Sequence, residues 1–159
     1  MSLLISFLNF LGGTVMKITG LNLLLCSALF LLFSGCAKTT SDVSPDAAMG
    51  EFKNFYVVPS FDDRRGVKEA IFADLKSRGF NVEAGPAIRI PETADVEVSY
   101  EAKWVWDRDY YLSNLEISFK DPDNAMLIAS GKSYRPSLER KPVDDMVGEI
   151  LNQIFMIAP

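Results

Sequence analysis

The chain has 159 residues, 48% of them apolar, with 16 basic and 21 acidic side chains, no histidine and two cysteines. That length holds one ordinary domain. All the acidic residues follow Cys36 and one basic residue, Lys17, precedes it, so 15 basic face 21 acidic side chains beyond the cysteine, a net −6. Release of counterions from phosphate offers such a chain nothing, which excludes nucleic acid as an expected partner, and no polybasic patch is present to hold it to anionic headgroups.

In chain order, Met16 and Lys17 open a short basic start, Leu21 to Phe33 is an apolar stretch, and the small residues Ser34 and Gly35 precede Cys36. This is export-signal anatomy, which assigns residues 1–35 to a signal and makes Met16 the expected start of translation. Leu21 to Gly35 falls short of the roughly 20 residues that span a bilayer. Extending the segment back to Met1 would bury Lys17 mid-span at a cost of about 3 kcal/mol. Phe33-Ser34-Gly35-Cys36 resembles the bacterial lipobox, with Phe where Leu is commoner. The resemblance implies cleavage between Gly35 and Cys36 and diacylglycerol on the Cys36 thiol. Two or three acyl chains anchor firmly where one exchanges. Cys26 lies inside the export segment, so no disulfide framework is expected.

Ala37 to Met49 is rich in Ser, Thr, Asp and Ala, and its composition predicts that residues 36–51 form a lipidated cysteine and a flexible tether. A single folded domain is expected over 52–159. Phe52 to Pro59 reads as a strand, and Ser60 with Asp63 resembles a capping box before a helix through Val67, Ala70, Ile71 and Leu75 that stops at Gly79. Phe80 to Ala84 returns as a strand, and residues 85–93 are a loop. Ala94 to Trp106 alternates strictly, Tyr111 to Phe119 repeats the alternation, Asp121-Pro122-Asp123-Asn124 is a turn, and Ala125 to Tyr134 is the returning arm. Pro142 opens a last helix with the stripe Val143, Met146, Val147, Ile150, Leu151 and Ile154. The order β-α-β-β-β-β-α predicts an α+β two-layer sandwich, with two helices on one face of a mostly antiparallel sheet of about five strands.

Without histidine, and with the one mature cysteine consumed by lipid, most hydrolytic and metal-site chemistry is excluded, so no enzyme activity, cofactor or metal is expected. The carboxylate pairs Asp62/Asp63, Asp107/Asp109, Asp121/Asp123 and Asp144/Asp145 have plainer roles in caps and turns. Asp121 and Asp123 begin like a calcium loop, but its sixth position is Met126 rather than Gly and its twelfth is Lys132 rather than Glu. The candidate binding residues are Trp104, Trp106, Tyr110 and Tyr111, aromatic rings near a hairpin turn. The plainer reading packs Trp104 and Trp106 under the helices with Val96 and Val98, and leaves Arg64 and Arg65 as a solvated helix start.

Arg78-Gly79-Phe80, Ala94-Asp95-Val96 and the hairpin from Leu115 to Tyr134 through Asp121-Pro122 resemble a domain-of-unknown-function family of small Gram-negative lipoproteins. The element order is also similar to envelope-assembly modules such as the lipopolysaccharide-assembly lipoprotein and the amino-terminal domain of the Tol-Pal propeller protein. The resemblance implies a non-catalytic envelope binding module, held to the membrane through lipid on Cys36 and docking an envelope protein. Ala37, rather than Asp, after the lipidated cysteine implies the periplasmic face of the outer membrane. The alternative is a carrier or sensor of a lipid or glycan, which predicts an apolar pocket beside Trp104 or Tyr111.

Overall fold

The computed structural model describes residues 37–44, 49–61, 63 and 65–157; the expected export segment, Gly35, Cys36, Asp62 and Arg64 lie outside the described residues. Six strands and two helices follow one another as β1 (Lys38–Val43), β2 (Asn54–Val57), α1 (Val67–Ser77), β3 (Asn81–Ala84), β4 (Val96–Asp107), β5 (Asp109–Lys120), β6 (Leu127–Tyr134) and α2 (Val143–Ile157). Short 3-10 turns occupy Ala87–Arg89 and Ser137–Glu139. The strands form one sheet in the order β1-β6-β5-β4-β2-β3.

The α+β class agrees with the sequence reading, but the sheet departs from it in two ways. It has six strands rather than five, because the segment expected to be a tether begins with β1, which pairs antiparallel with β6 from Lys38 opposite Tyr134 to Val43 opposite Ala129. A polar run can do this at a sheet edge, where the ladder satisfies its backbone and only alternate side chains need cover. Val43 packs against the core, and the Thr39 hydroxyl accepts a hydrogen bond from Arg135 Nη2 at 3.2 Å. The sheet is also mixed rather than mostly antiparallel, since β2 lies parallel to both β3 and β4. The α1 crossover sets β3 beside β2, and the loop 85–95 carries the chain back so that β4 starts beside β2 on its other flank.

Strict alternation explains which face is covered. Val98, Phe119 and Ala129 are opposite one another across β4, β5 and β6, and all three are buried. They form one core with Ile71 and Leu75 of α1 and Met146, Ile150 and Ile154 of α2, all fully buried. Gly131, in the middle of β6, lets α2 approach closely: a Cβ there would lie 2.5 Å from Ile150 Cγ2. Phe55 is ringed by Phe80, Phe119 and Phe155 at centroid distances of 4.6, 5.6 and 6.4 Å, the spacing of favourable aromatic contacts.

The first turn of α1 is held by Asp63. Its carboxylate accepts hydrogen bonds from the backbone N–H groups of Lys68 (2.7 Å), Arg65 (3.2 Å) and Val67 (3.3 Å), and from the Tyr100 hydroxyl. The predicted capping box is therefore corrected: Ser60 supplies its backbone N–H to the Tyr100 hydroxyl at 3.2 Å, and the helix begins at Val67, after Gly66 has turned the chain at φ 81°. Only glycine adopts that backbone without strain.

Candidate functional site

The site is built on the hairpin of β4 and β5, whose arms outrun the rest of the sheet. Lys38, Tyr134, Asn114 and Lys103 stand in one row across β1, β6, β5 and β4. Past that row β4 continues through Trp104–Asp107 and β5 answers with Asp109–Ser113, paired only with each other. Lys103 faces Asn114 but Trp104 faces Leu112, so Ser113 is an extra residue. Such a bulge bends and twists a hairpin. Here its hydroxyl is satisfied by donating to the Lys103 carbonyl at 3.0 Å. At the tip Arg108, at φ 62°, joins Asp107 directly to Asp109.

The four aromatic candidates are gathered on this arm and divided by the pleat. Trp106 opposes Tyr110 with their rings edge to face at 5.1 Å. Trp106 is 63% and Tyr110 49% exposed. Trp104 is half-buried and packs against the core, as the plainer reading expected, whereas Trp106 corrects that reading by standing in solvent. The reason is length: the helices cover the sheet, and Trp106 lies beyond it.

Two arginines complete the cluster. Arg65 is not merely a solvated helix start, because its guanidinium lies 5.0 Å from the Trp104 ring and 4.6 Å from Tyr110. Arg140 covers Tyr111 at 4.5 Å. These are cation–π distances. Arg140 Nη2 also donates to the Asp107 carboxylate at 2.9 Å and to its carbonyl at 2.6 Å, and the Ser137 hydroxyl donates to the same carboxylate. The Ser137–Glu139 turn is thus latched to the hairpin tip. The same turn reaches the start of β1, where the Ala37 N–H donates to Glu139 Oε2 at 3.2 Å. Arg140 and Ser137 sit in a connecting segment with no periodicity, so the sequence carries no signal for either.

The carboxylates are engaged in folding roles. Asp121 closes the β5–β6 turn by accepting from Asp123 N–H at 2.8 Å and from Asn124 at 3.0 Å, and Asp144 and Asp145 occupy the first turn of α2. Burial pushes the Asp63 carboxyl up, but the Tyr100 hydroxyl and three backbone N–H groups outweigh it and hold it below 3.8. Glu149 is likewise raised by burial and held net below 4.5 by Lys141 and Arg135. Backbone N–H groups of Lys53 and Asn54 lower Asp95. Carboxylates depressed in the folded state contribute stability that is complete above their unfolded values and lost as pH falls through the folded ones. With no histidine to titrate near neutrality, thermal melting should be flat from about pH 6 to 8 and fall progressively below about pH 4. A midpoint that changes between pH 6 and 8 would contradict this assignment.

Beside Trp104, Ser60, Asp63, Tyr100 and Ala102 enclose a recess of about 60 Å³. On the helix-free face Ser99, Glu101, Glu116, Ser118 and Lys120 line an open polar depression of about 200 Å³.

Neither a protein-family model nor a curated protein matches the chain in sequence. Solved structures do resemble it. The PelC dodecamer from Paraburkholderia phytofirmans superposes at 14% identity with a TM-score of 0.55, covering 75% of this chain and 97% of that one. A DUF4136 family protein from Bacteroides thetaiotaomicron superposes at 11% identity with a TM-score of 0.50, covering 77% and 96%. The likeness is one of fold. It gives the α+β sheet and its helices precedents in bacterial proteins of similar extent.

Proposed function

We propose that the protein is an envelope lipoprotein, acylated on Cys36, whose domain serves without catalysis as a binding or accessory module for an envelope protein. The observation that carries this reading is the start of β1 at Lys38. One residue, Ala37, separates the lipobox cysteine from the sheet, so a lipid on Cys36 holds the domain at the membrane by a short, structured connection. Ala37 in that position favours the periplasmic face of the outer membrane. The helix-free sheet face, with Glu101, Glu116 and Lys120 around its depression beside Ser99 and Ser118, offers a partner charged and hydroxyl side chains.

The carrier reading is weaker. A recess of about 60 Å³ is several-fold below the roughly 300 Å³ at which small-ligand sites begin. The similar PelC structure is a dodecamer, and association between copies of this chain is read in the same experiment. Whole cells carrying a tagged wild type or Cys36→Ala are crosslinked, and captured proteins are identified by mass spectrometry. The wild type should remain with membranes and capture a discrete envelope protein, while Cys36→Ala should lose both. Equal membrane recovery of the two would sink the lipid anchor. A firmly anchored wild type that captures nothing discrete would sink the accessory role.

Function at the hairpin should be separable from folding. Trp106 is exposed and outside the core, so Trp106→Ala should change stability by no more than about 1 kcal/mol. Urea unfolding of the two forms side by side checks this.

A further inference from the structure

We propose that the end of the domain bearing the β4–β5 tip is its membrane-facing surface, with Trp106, Tyr110 and Leu138 seated in the headgroup interface of the bilayer that holds the Cys36 lipid. This deepens the anchor reading and rests on it.

The reach of the hairpin favours this placement. β1 begins at the row of Lys38, Tyr134, Asn114 and Lys103, and the chain before it leaves on the side where the hairpin projects. Ala37 stands one residue outside that row, and the single bond onward to a lipidated neighbour allows a reach of at most about 7 Å from the row along the chain. The hairpin runs on for four residues of β4, about 14 Å at strand spacing. The tip therefore reaches farther from the row than two residues of chain can carry a lipid. The hydrogen bond from Ala37 to Glu139, and the latch from Ser137 and Arg140 to Asp107, keep Ala37 and the tip together. A domain held by its lipid cannot swing this arm away without breaking them.

The composition of this end favours it too. Five of the nine exposed large apolar side chains among the described residues lie at this end: Trp106, Tyr110, Leu138, Tyr134 and Phe61. Tryptophan and tyrosine favour the bilayer interface, where the ring is partly desolvated and its polar atom still meets water or headgroups. Arg65, Arg108 and Lys103 are exposed around them, with long stems that can lie along apolar surface while the charge reaches phosphate. Of the acidic groups at this end, Asp107 is paired with Arg140, Asp109 accepts the Tyr110 N–H at 2.7 Å, and Glu139 accepts the Ala37 N–H at 3.2 Å. The far end of the sheet carries Glu92, Asp95, Asp121 and Asp123 against Lys53 and Lys120, a net acidic set that suits the side turned from an anionic surface.

The test uses the lipidated protein purified from membranes and reconstituted in vesicles of phosphatidylethanolamine and phosphatidylglycerol, with or without brominated acyl chains. Trp104→Phe leaves Trp106 as the one tryptophan, Trp106→Phe leaves Trp104, and the wild type is measured alongside to guard against a misfolded variant. Trp106 emission should shift to shorter wavelength relative to soluble Cys36→Ala/Trp104→Phe, lose intensity with brominated lipid, and lose access to aqueous acrylamide. Trp104 should be quenched less. Mass spectrometry of the amino-terminal peptide reports the lipid independently, and its absence would remove the anchor reading and this proposal with it. Lipid present without bromolipid quenching would overturn the proposal alone. In that case acrylamide access would mean the tip stands in water, and acrylamide protection would mean a protein or second copy covers it.

Discussion

Gly131→Ala should destabilise the domain by about 2 kcal/mol, although alanine is ordinarily the better strand residue. Removing a glycine from a strand interior contributes roughly 0.5–1 kcal/mol in favour of folding. Against this, the new methyl would sit 2.5 Å from Ile150 Cγ2 and 3.3 Å from Ile154 Cδ1. Ile150 is fully buried on α2, and a β-branched side chain on a helix has one strongly preferred χ1, so the methyl cannot turn aside. The helix or strand must move, and overpacking of this kind costs about 1–3 kcal/mol, here at the upper end. The melting temperature should fall by roughly 10 °C. Ile150→Ala alone should cost about 3 kcal/mol through the cavity it leaves. The double variant should be less damaged than the sum of the singles by at least about 1 kcal/mol, because each change relieves the other. Strict additivity in thermal unfolding would show that α2 does not press on β6 at this point.

Asp63→Ala should cost a similar amount, about 2–3 kcal/mol, by a different route. Loss of a helix cap alone costs up to about 2 kcal/mol. This carboxylate serves three backbone N–H groups and also receives the Tyr100 hydroxyl, which sits in a largely buried side chain. Tyr100 would keep the Ser60 N–H as its remaining partner, so its stranded proton adds to the loss. Asp63→Asn should recover part of the stability, since an amide oxygen accepts but carries no charge for the helix end. Far-UV circular dichroism melts rank the three forms. If Asn and Ala are equally destabilised, the charge outweighs the geometry of the cap. If neither is, the cap does not limit stability.

The parts legible in the sequence were those where one face is strongly apolar. The stripe of α2 and the alternation of β4 and β5 announce their elements because burial and periodicity coincide. β1 escaped because Lys-Thr-Thr-Ser-Asp is polar on both faces before Val43, and its pairing with β6 depends on partners 86 to 96 residues away. The parallel placement of β2 was hidden for a related reason: local pattern gives a strand's existence, while its neighbours are set by where α1 and the 85–95 loop return the chain. At the site, the four aromatic residues were visible as a group. Their division between core and solvent was not, because alternation cannot say where the covering helices end. Arg65 and Arg140, which stack on those rings, lie in irregular segments where a sequence has no period to break.

The edge position of β1 has a mechanical meaning. With the proposed lipid on Cys36, a load between it and a partner held elsewhere on the domain would enter through Ala37 and run along the axis of β1. Its six pairs with β6 then bear tension in shear, together, whereas a strand pulled sideways gives way one pair after another. The strand that looked like slack in the chain is placed where a mooring line is made fast.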